Sequence, residues 1–552
     1  MADQRSFLCF LFLVHLICCQ VFNVQQRLLI EEYVTNAVAC RGVPGLTLGV
    51  VKGDQSWTKG FGFADVQSKR PVTSSTLFGI ASITKSFTAA VMSILLEKSD
   101  KKYTWNTKLT EILGDGFEMD SEIRTKETTI KDILSHRTGL PSGDISVFAG
   151  YPGNIYSDRP DQVRRLKYLK GTRPFRDSFM YNNIMYGLAG HVIEVLSGNT
   201  WSEEIRSKIL MPLDMSETEI LGETATENDP DLAKSYEFVG KERILTRPSF
   251  YPGNPNQPAG AIASSSDDMV KYIRFILNKG NATGGKTVAA WKNLEMLFKP
   301  YTTIGMAEWT KATFPISDID SGYGFGWFIS NHQGYKKIWH SGKLSGYASM
   351  LWIFPEVEIG IYASANGQGP GLVSTRIFEV IFSYIFDQLH GNQPWLNETT
   401  SCTFPMPWMV EYTRSEVTDI VDEPVSTPEQ FVGRYGHRLF GYIDVMWKNN
   451  ALSFKSGKLE GVLKPTHKKN MLKLKISGDQ RATFDLLEVN FSRKNDGTYQ
   501  DVQIVLTANQ KYTYSRGIEF ETATDIPTNV ASTIFGQVMS TILISSPLII
   551  NS

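Results

Sequence analysis

The chain has 552 residues, 42% of them hydrophobic and 20% charged, with 56 Lys and Arg against 57 Asp and Glu and a formal net charge of −1. At about 150 residues per domain, that length fits two or three real domains with cores large enough to fold without cross-links. The ordinary composition excludes disordered, collagenous and polytopic membrane classes, and a near-neutral chain without a basic block excludes nucleic acid as the main partner.

Met1 to Arg5 precede an apolar run from Phe7 to Cys19, broken only by His15. The run has the length of a signal-peptide core and is short for a membrane span, so residues 1–20 read as a secretory signal. Its removal takes Cys9, Cys18 and Cys19 and leaves Cys40 and Cys402. In an oxidising compartment these form one disulfide or stand as two unpaired buried thiols; two cysteines cannot build a Cys-based zinc site. Sequons at Asn281, Asn397 and Asn490 suit a secreted, extracellular glycoprotein.

Ile30, Val34, Ala37 and Val38 form the stripe of an amphipathic helix. Gly45–Lys52 and Gln55–Ala64 read as strands around a Lys52-Gly53-Asp54 turn. Phe87, Ala90, Val91, Ile94 and Leu95 recur at helical spacing and predict a buried helix. Helical patterns and loops then alternate, before strand patterns return at Lys337–Trp339 and Ala348–Ala363, followed by a helix at about Ser374–Leu389. Pro405, Pro407, Pro424 and Pro428 mark a linker. Beyond it, GYIDVMW, ALSFKS, MLKLKIS and an Asp496-Gly497 turn predict a small antiparallel barrel or sandwich. Ile534–Ile550 is apolar and ends without a basic residue; with Thr522 to Thr524 upstream it resembles a removed lipid-anchor signal, against the alternative of a disordered or packed tail.

The chemistry concentrates at Ser82-Ile83-Thr84-Lys85, at the edge of the buried helix. Residues three apart share a helix face, so the Lys85 amine can stand beside the Ser82 hydroxyl, which is a weak nucleophile until a base takes its proton. The helix N-terminus supplies N–H groups for a developing oxyanion. S-x-x-K alone is common, and its ordinary reading is an N-cap serine with a surface lysine. Tyr181-Asn182-Asn183 stands 99 residues further on, and His340-Ser341-Gly342 another 159 beyond, before Lys343.

In this order the three motifs resemble those of the serine β-lactamase and penicillin-binding-protein group, particularly its class C-like, D-aminopeptidase and esterase branches. VPGLTLGVV, TLFGIASITKSFTA, DILSHRTGLP, PAGAIASSSDDM and YGFGW extend the resemblance from about residue 27 to 390. The module at 429–520 looks like the lipocalin-like β domain attached to some members. The resemblance implies an α/β (α+β) fold: an antiparallel sheet flanked by helices plus a helical subdomain, then a small antiparallel β-barrel. The implied division is signal 1–20, hydrolase 21–400, linker 401–428, β domain 429–520 and hydrophobic tail 521–552.

The same resemblance implies roles. Ser82 is the acylated nucleophile; Lys85 and Tyr181 share acid–base work, the lysine charge lowering the phenol's pKa; Asn183 bonds the substrate amide or Lys85. His340 takes the third-motif cation position, with Ser341 and Gly342 beside it, and the N–H groups of Ser82 and Lys343 form the oxyanion hole. The expected substrates are small amides, peptides or esters, with no metal or cofactor. The first and last helices of the family fold lie side by side, which implies a Cys40–Cys402 bridge. H-S-G stands where other members carry K-T-G, so β-lactam recognition is not expected to be efficient. A partly charged histidine would make carboxylate affinity weaken as pH rises. An inactive extracellular-matrix or binding protein is the alternative.

Gly280–Thr287 matches a P-loop formally, but a helical pattern precedes it, so it reads as a glycine-rich surface turn. His136 and His191 have no metal-ligand partner at useful spacing, and the absence of a G-x-S-x-G elbow argues against an α/β-hydrolase.

Overall fold

The computed structural model describes residues 23–99, 102–142, 158–239, 241–246, 254–304, 318–369, 376–404, 406, 420–421, 423–478, 486–507 and 510–520. The expected signal segment, the C-terminal tail read as an anchor signal or a packed or disordered end, and much of the proline-containing linker lie outside these residues.

Helix α1 (Val24–Cys40) starts at a capping box in which Asn23 accepts the Gln26 N–H at 2.7 Å. It buries the expected stripe of Ile30, Val34, Ala37 and Val38, with Tyr33 added. The chain then enters an eight-stranded sheet: β1 (Gly45–Lys52), β2 (Gln55–Asp65), β3 (Arg70–Pro71), β4 (Asp318–Tyr323), β5 (Phe328–His332), β6 (Tyr335–Leu344), β7 (Tyr347–Phe354) and β8 (Ile359–Ala365). The order is β3-β2-β1-β8-β7-β6-β5-β4, so the domain's first and last strands pair at its centre, with Leu46 opposite Ala365. The strand pattern from Ala348 to Ala363 is in fact two strands. Pro355 has no N–H to give a ladder, and Glu358 takes φ 52°, which turns the chain between β7 and β8.

One face of the sheet carries α1 and the late helix Arg376–His390, sealed by Trp352, Phe354, Phe378, Phe382 and Phe386. Each such side chain, fully buried, contributes on the order of 1.5–3 kcal/mol of apolar transfer. Cys40 and Cys402 are bridged beside this layer, their Cα atoms 5.8 Å apart. On the other face lie the helix Ser266–Leu277 and a helical subdomain built around the helices Thr84–Lys98 and Asn183–Ser197. Thr84–Lys98 is buried nearly all round, as expected of a helix through the middle of a large core.

After the linker, eight strands from Gly433–His437 to Gln510–Ser515 pair antiparallel in sequence, and the last closes on the first to make a barrel. Ile443, Val445, Leu452, Phe454, Val489 and Phe491 alternate into its interior. The barrel meets the helical subdomain where Arg165 donates to the Arg438 carbonyl at 3.1 Å and lies 3.9 Å over the Phe520 ring. Among the described residues no helix is long and apolar enough to cross a membrane.

Candidate active site

The site forms where the helical subdomain meets β6. Ser82 lies in a single 3-10 turn (Ala81–Ile83), just ahead of the helix that begins at Thr84. Ala81 takes φ 48°, a left-handed conformation rare for a residue with a Cβ, and the turn is held by its surroundings. Ile80 N–H donates to Ile262 O at 2.9 Å, and the Ser349 hydroxyl donates to Ile80 O at 2.7 Å.

Lys85 is wholly buried, and its Nζ lies 3.1 Å from Ser82 Oγ while donating to the Ala259 carbonyl at 2.7 Å. The same amine is 4.9 Å from the centre of the Tyr181 ring and 5.3 Å from that of Tyr186. Ala259 belongs to the PAGAIASSSDDM segment, which also binds the helix one turn on, where Thr88 Oγ1 donates to Pro258 O at 2.8 Å. This carbonyl was not legible in the sequence, because a backbone acceptor leaves no side-chain signal.

Tyr181 is half-buried and immediately precedes Asn182, the N-cap of Asn183–Ser197; Asn182 accepts the N–H groups of Ile184 and Met185 at 2.9 and 3.3 Å. Its amide nitrogen donates to Leu140 O and Pro141 O, so the Tyr181-Asn182-Asn183 and SHRTGLP segments interlock. Asn183 opens the helix and is half-buried.

His340 is buried on β6, with its ring 6.2 Å from that of Tyr181. Its Nδ1 is 2.6 Å from Ser341 O, an acceptor only, so the ring proton sits there. Nε2 then accepts from the Tyr323 hydroxyl at 3.0 Å. Burial, and secondarily the charge of Lys85, push the imidazole down from 6.5 to about 3. The third-motif position is therefore a neutral group already satisfied on both nitrogens, and not the partly charged cation expected from the sequence. Burial removes water that would stabilise the imidazolium. Beside it, Ser341 is half-buried, Gly342 is buried and Lys343 is exposed.

His136, set aside in the sequence for want of metal partners, lies in the middle of this cluster. Its ring is 4.4 Å from Tyr181, 5.2 Å from Tyr186 and 4.9 Å from Tyr323. Burial, then the charge of Lys85, push its pKa well below the ordinary imidazole value and hold it neutral. The signal that could have found it was its place in the DILSHRTGLP segment.

Of the sequons, Asn397 is exposed and caps the helix Glu398–Thr403 through its oxygen, 3.0 Å from Thr400 N. Asn281 lies in the Gly280–Thr287 turn, where Thr287 donates to its oxygen at 2.8 Å. That turn follows the helix Ser266–Leu277 and not a strand, in keeping with a surface turn. Asn490 is half-buried within a barrel strand, its amide 2.8 Å from the Glu488 carboxylate.

A serine-bearing turn, a buried lysine and a tyrosine thus meet between a helical subdomain and an antiparallel sheet, the arrangement of a β-lactamase-like fold. The Beta-lactamase family profile matches residues 30–383, and the chain belongs to that family. It is similar to an unguisins hydrolase of Aspergillus campestris, 28% identical over 424 residues that span 73% of this chain and 75% of that protein. It is 31% identical over 347 residues to an unguisins hydrolase of Aspergillus violaceofuscus, spanning 61% of this chain and 60% of that protein. Among solved structures, an octameric penicillin-binding protein homologue from Pyrococcus abyssi has the same fold, with a TM-score of 0.55 at 21% identity, covering 88% of this chain and 98% of that one.

Proposed function

We propose that the chain is a secreted serine hydrolase that cleaves small amides, peptides or esters through an acyl-Ser82 intermediate. The observation that carries this reading is the contact between the wholly buried Lys85 amine and Ser82 Oγ at 3.1 Å, with Tyr181 beside the amine. A buried amine held at that distance has a plain chemical use as partner to the hydroxyl's proton.

In this reading the Ser82 proton passes to the Lys85–Tyr181 pair as Oγ bonds to the substrate carbonyl carbon. The oxyanion is met by the N–H groups of Ser82 and Lys343, and Asn183 holds the substrate amide. The pair then gives its proton to the departing amine or alkoxide as that bond breaks. Water adds to the acyl carbon with its proton taken by the same pair, and Ser82 is released as the alcohol. The two relatives named as hydrolases support hydrolysis as the outcome. The neutral, internally bonded His340 gives a substrate carboxylate nothing to pair with, which favours substrates without one, such as blocked peptides, amides and esters.

The Cys40–Cys402 bridge supports an oxidising, extracellular destination. The assigned parts are hydrolase 21–400, linker 401–428 and a lipocalin-like domain 429–520. The alternative roles, an inactive matrix or binding protein and a lipid-anchored one, have no observation of their own among the described residues.

Steady-state turnover of nitrophenyl esters and of D- and L-amino-acid amides tests the reading, with Ser82→Ala and Lys85→Met as folded controls. Loss of turnover by at least about a thousandfold in both variants is expected, the scale of removing a nucleophile or its base. Turnover that survives in Ser82→Ala would reject it.

A further inference from the structure

Tyr181 is held from both sides by a single residue. The Met180 N–H, just before it, donates to the His136 carbonyl at 2.8 Å. The Asn182 N–H, just after it, donates to His136 Nδ1 at 3.1 Å. Because Nδ1 accepts, the neutral ring carries its proton on Nε2, and that atom is buried with no hydrogen-bond partner among the described residues. A buried donor left without an acceptor is destabilising, and here it coincides with a second cost. His136 takes φ 56°, a left-handed conformation that few non-glycine residues adopt. Strain and an orphaned donor at one residue, packed against the phenol, are features a protein keeps where geometry matters to function.

We propose that His136 is the positioning residue for Tyr181. Its carbonyl and Nδ1 fix the backbone on either side of the phenol, and its ring, 4.4 Å away, fixes the plane in which the phenol can lie beside Lys85. The role rests on the acyl-Ser82 reading and acts through Tyr181; His136 itself does not touch the reacting atoms. Proton transfer falls off steeply with misplacement, and an error of about 1 Å can cost a hundredfold in rate.

The test compares His136→Asn with His136→Gly in the full chain. Both residues accept a positive φ, so neither carries a backbone penalty, but only asparagine offers an acceptor where Nδ1 stood. The readouts are the rate of acylation by a nitrophenyl ester, its KM and its pH profile, with melting temperatures alongside. His136→Gly should acylate about a hundredfold more slowly with KM within about threefold, and the limb of the pH profile set by the Lys85–Tyr181 pair should move. His136→Asn should recover to within about tenfold of the unaltered enzyme. Two folded variants that acylate at the original rate, or an asparagine variant with native melting that is as slow as the glycine one, would overturn the assignment. If the glycine variant does not fold, the asparagine variant decides alone: a loss beyond about a hundredfold at native melting temperature overturns it. An unaltered chain that is not acylated at all would instead sink the acyl-Ser82 reading on which this one stands.

Discussion

Gly342 runs so close to Ile80 that a methyl group on it would lie 2.3 Å from the Ile80 carbonyl oxygen and 2.4 Å from the Ser349 hydroxyl. Only a bare backbone lets β6 seat against the turn carrying Ser82, and in the proposed mechanism the next residue on that strand, Lys343, supplies an oxyanion donor. Gly342→Ala is expected to push the strand away and weaken one oxyanion donor. Removal of such a donor costs about a hundred- to a thousandfold in kcat, and the overpacking about 1–3 kcal/mol in stability. Acylation rates and melting curves on the same preparation check both figures; an alanine variant with unchanged acylation would remove Lys343 from the mechanism.

The neutral state of His340 has a kinetic consequence. Lys85, His136, Tyr181 and Tyr323 face it, and its imidazole, held near 3, stays unprotonated from pH 5 to 8. KM for a carboxylate-bearing substrate and for its amide should therefore show no His340-dependent change across that range. A KM that climbs for the carboxylate alone as pH rises through 6 to 7 would mean that the histidine is charged in use.

Most of this architecture was legible before the structure. The α1 stripe, the β1–β2 hairpin, the helix after Ser82 and the barrel segments all follow from periodicities that packing then honours. The three motifs place Ser82, Lys85, Tyr181 and His340 in one cluster because their order is the order of the fold. What stayed hidden depends on burial or on backbone. The Ala259 carbonyl has no side chain to read. His340 looks like a cation until Tyr323 and Ser341 close around it. His136 looks idle until residues 180 and 182 are seen to bond to it across 44 and 46 positions of chain.

The barrel carries its own acid sensitivity. Burial pushes His437 down to about 4 in the folded state, where Nδ1 accepts the Leu439 N–H at 3.0 Å. In the unfolded chain the imidazole titrates near 6.5, so between about pH 4 and 6.5 the unfolded state binds the extra proton. The stability is fully present above pH 6.5 and declines as pH falls toward 4. His437→Asn keeps an acceptor without the titration. It should shrink the drop in melting temperature between pH 7.5 and 5.5 by the equivalent of about 1 kcal/mol. An identical drop in both proteins would contradict the assignment.

The Cys40–Cys402 bridge closes a separation of 362 residues on the sheet face away from Ser82. The double variant Cys40→Ser, Cys402→Ser should lose about 2–5 kcal/mol of stability, mainly through a freer unfolded state. Its kcat at a temperature where it remains folded should be unchanged. A large fall in kcat without a fall in stability would show that the bridge shapes the site.

The central claim is that Ser82 becomes acylated, and intact-mass analysis tests it most directly. The purified chain would be exposed to an activated ester, a D-amino-acid amide and a β-lactam, with Ser82→Ala in parallel. One acyl increment per chain, mapped to the Ser82 peptide and absent from the alanine variant, is the expected result, strongest with the ester or amide and weakest with the β-lactam. A folded chain that gains no increment from any of the three, or gains the same one in Ser82→Ala, would contradict the account.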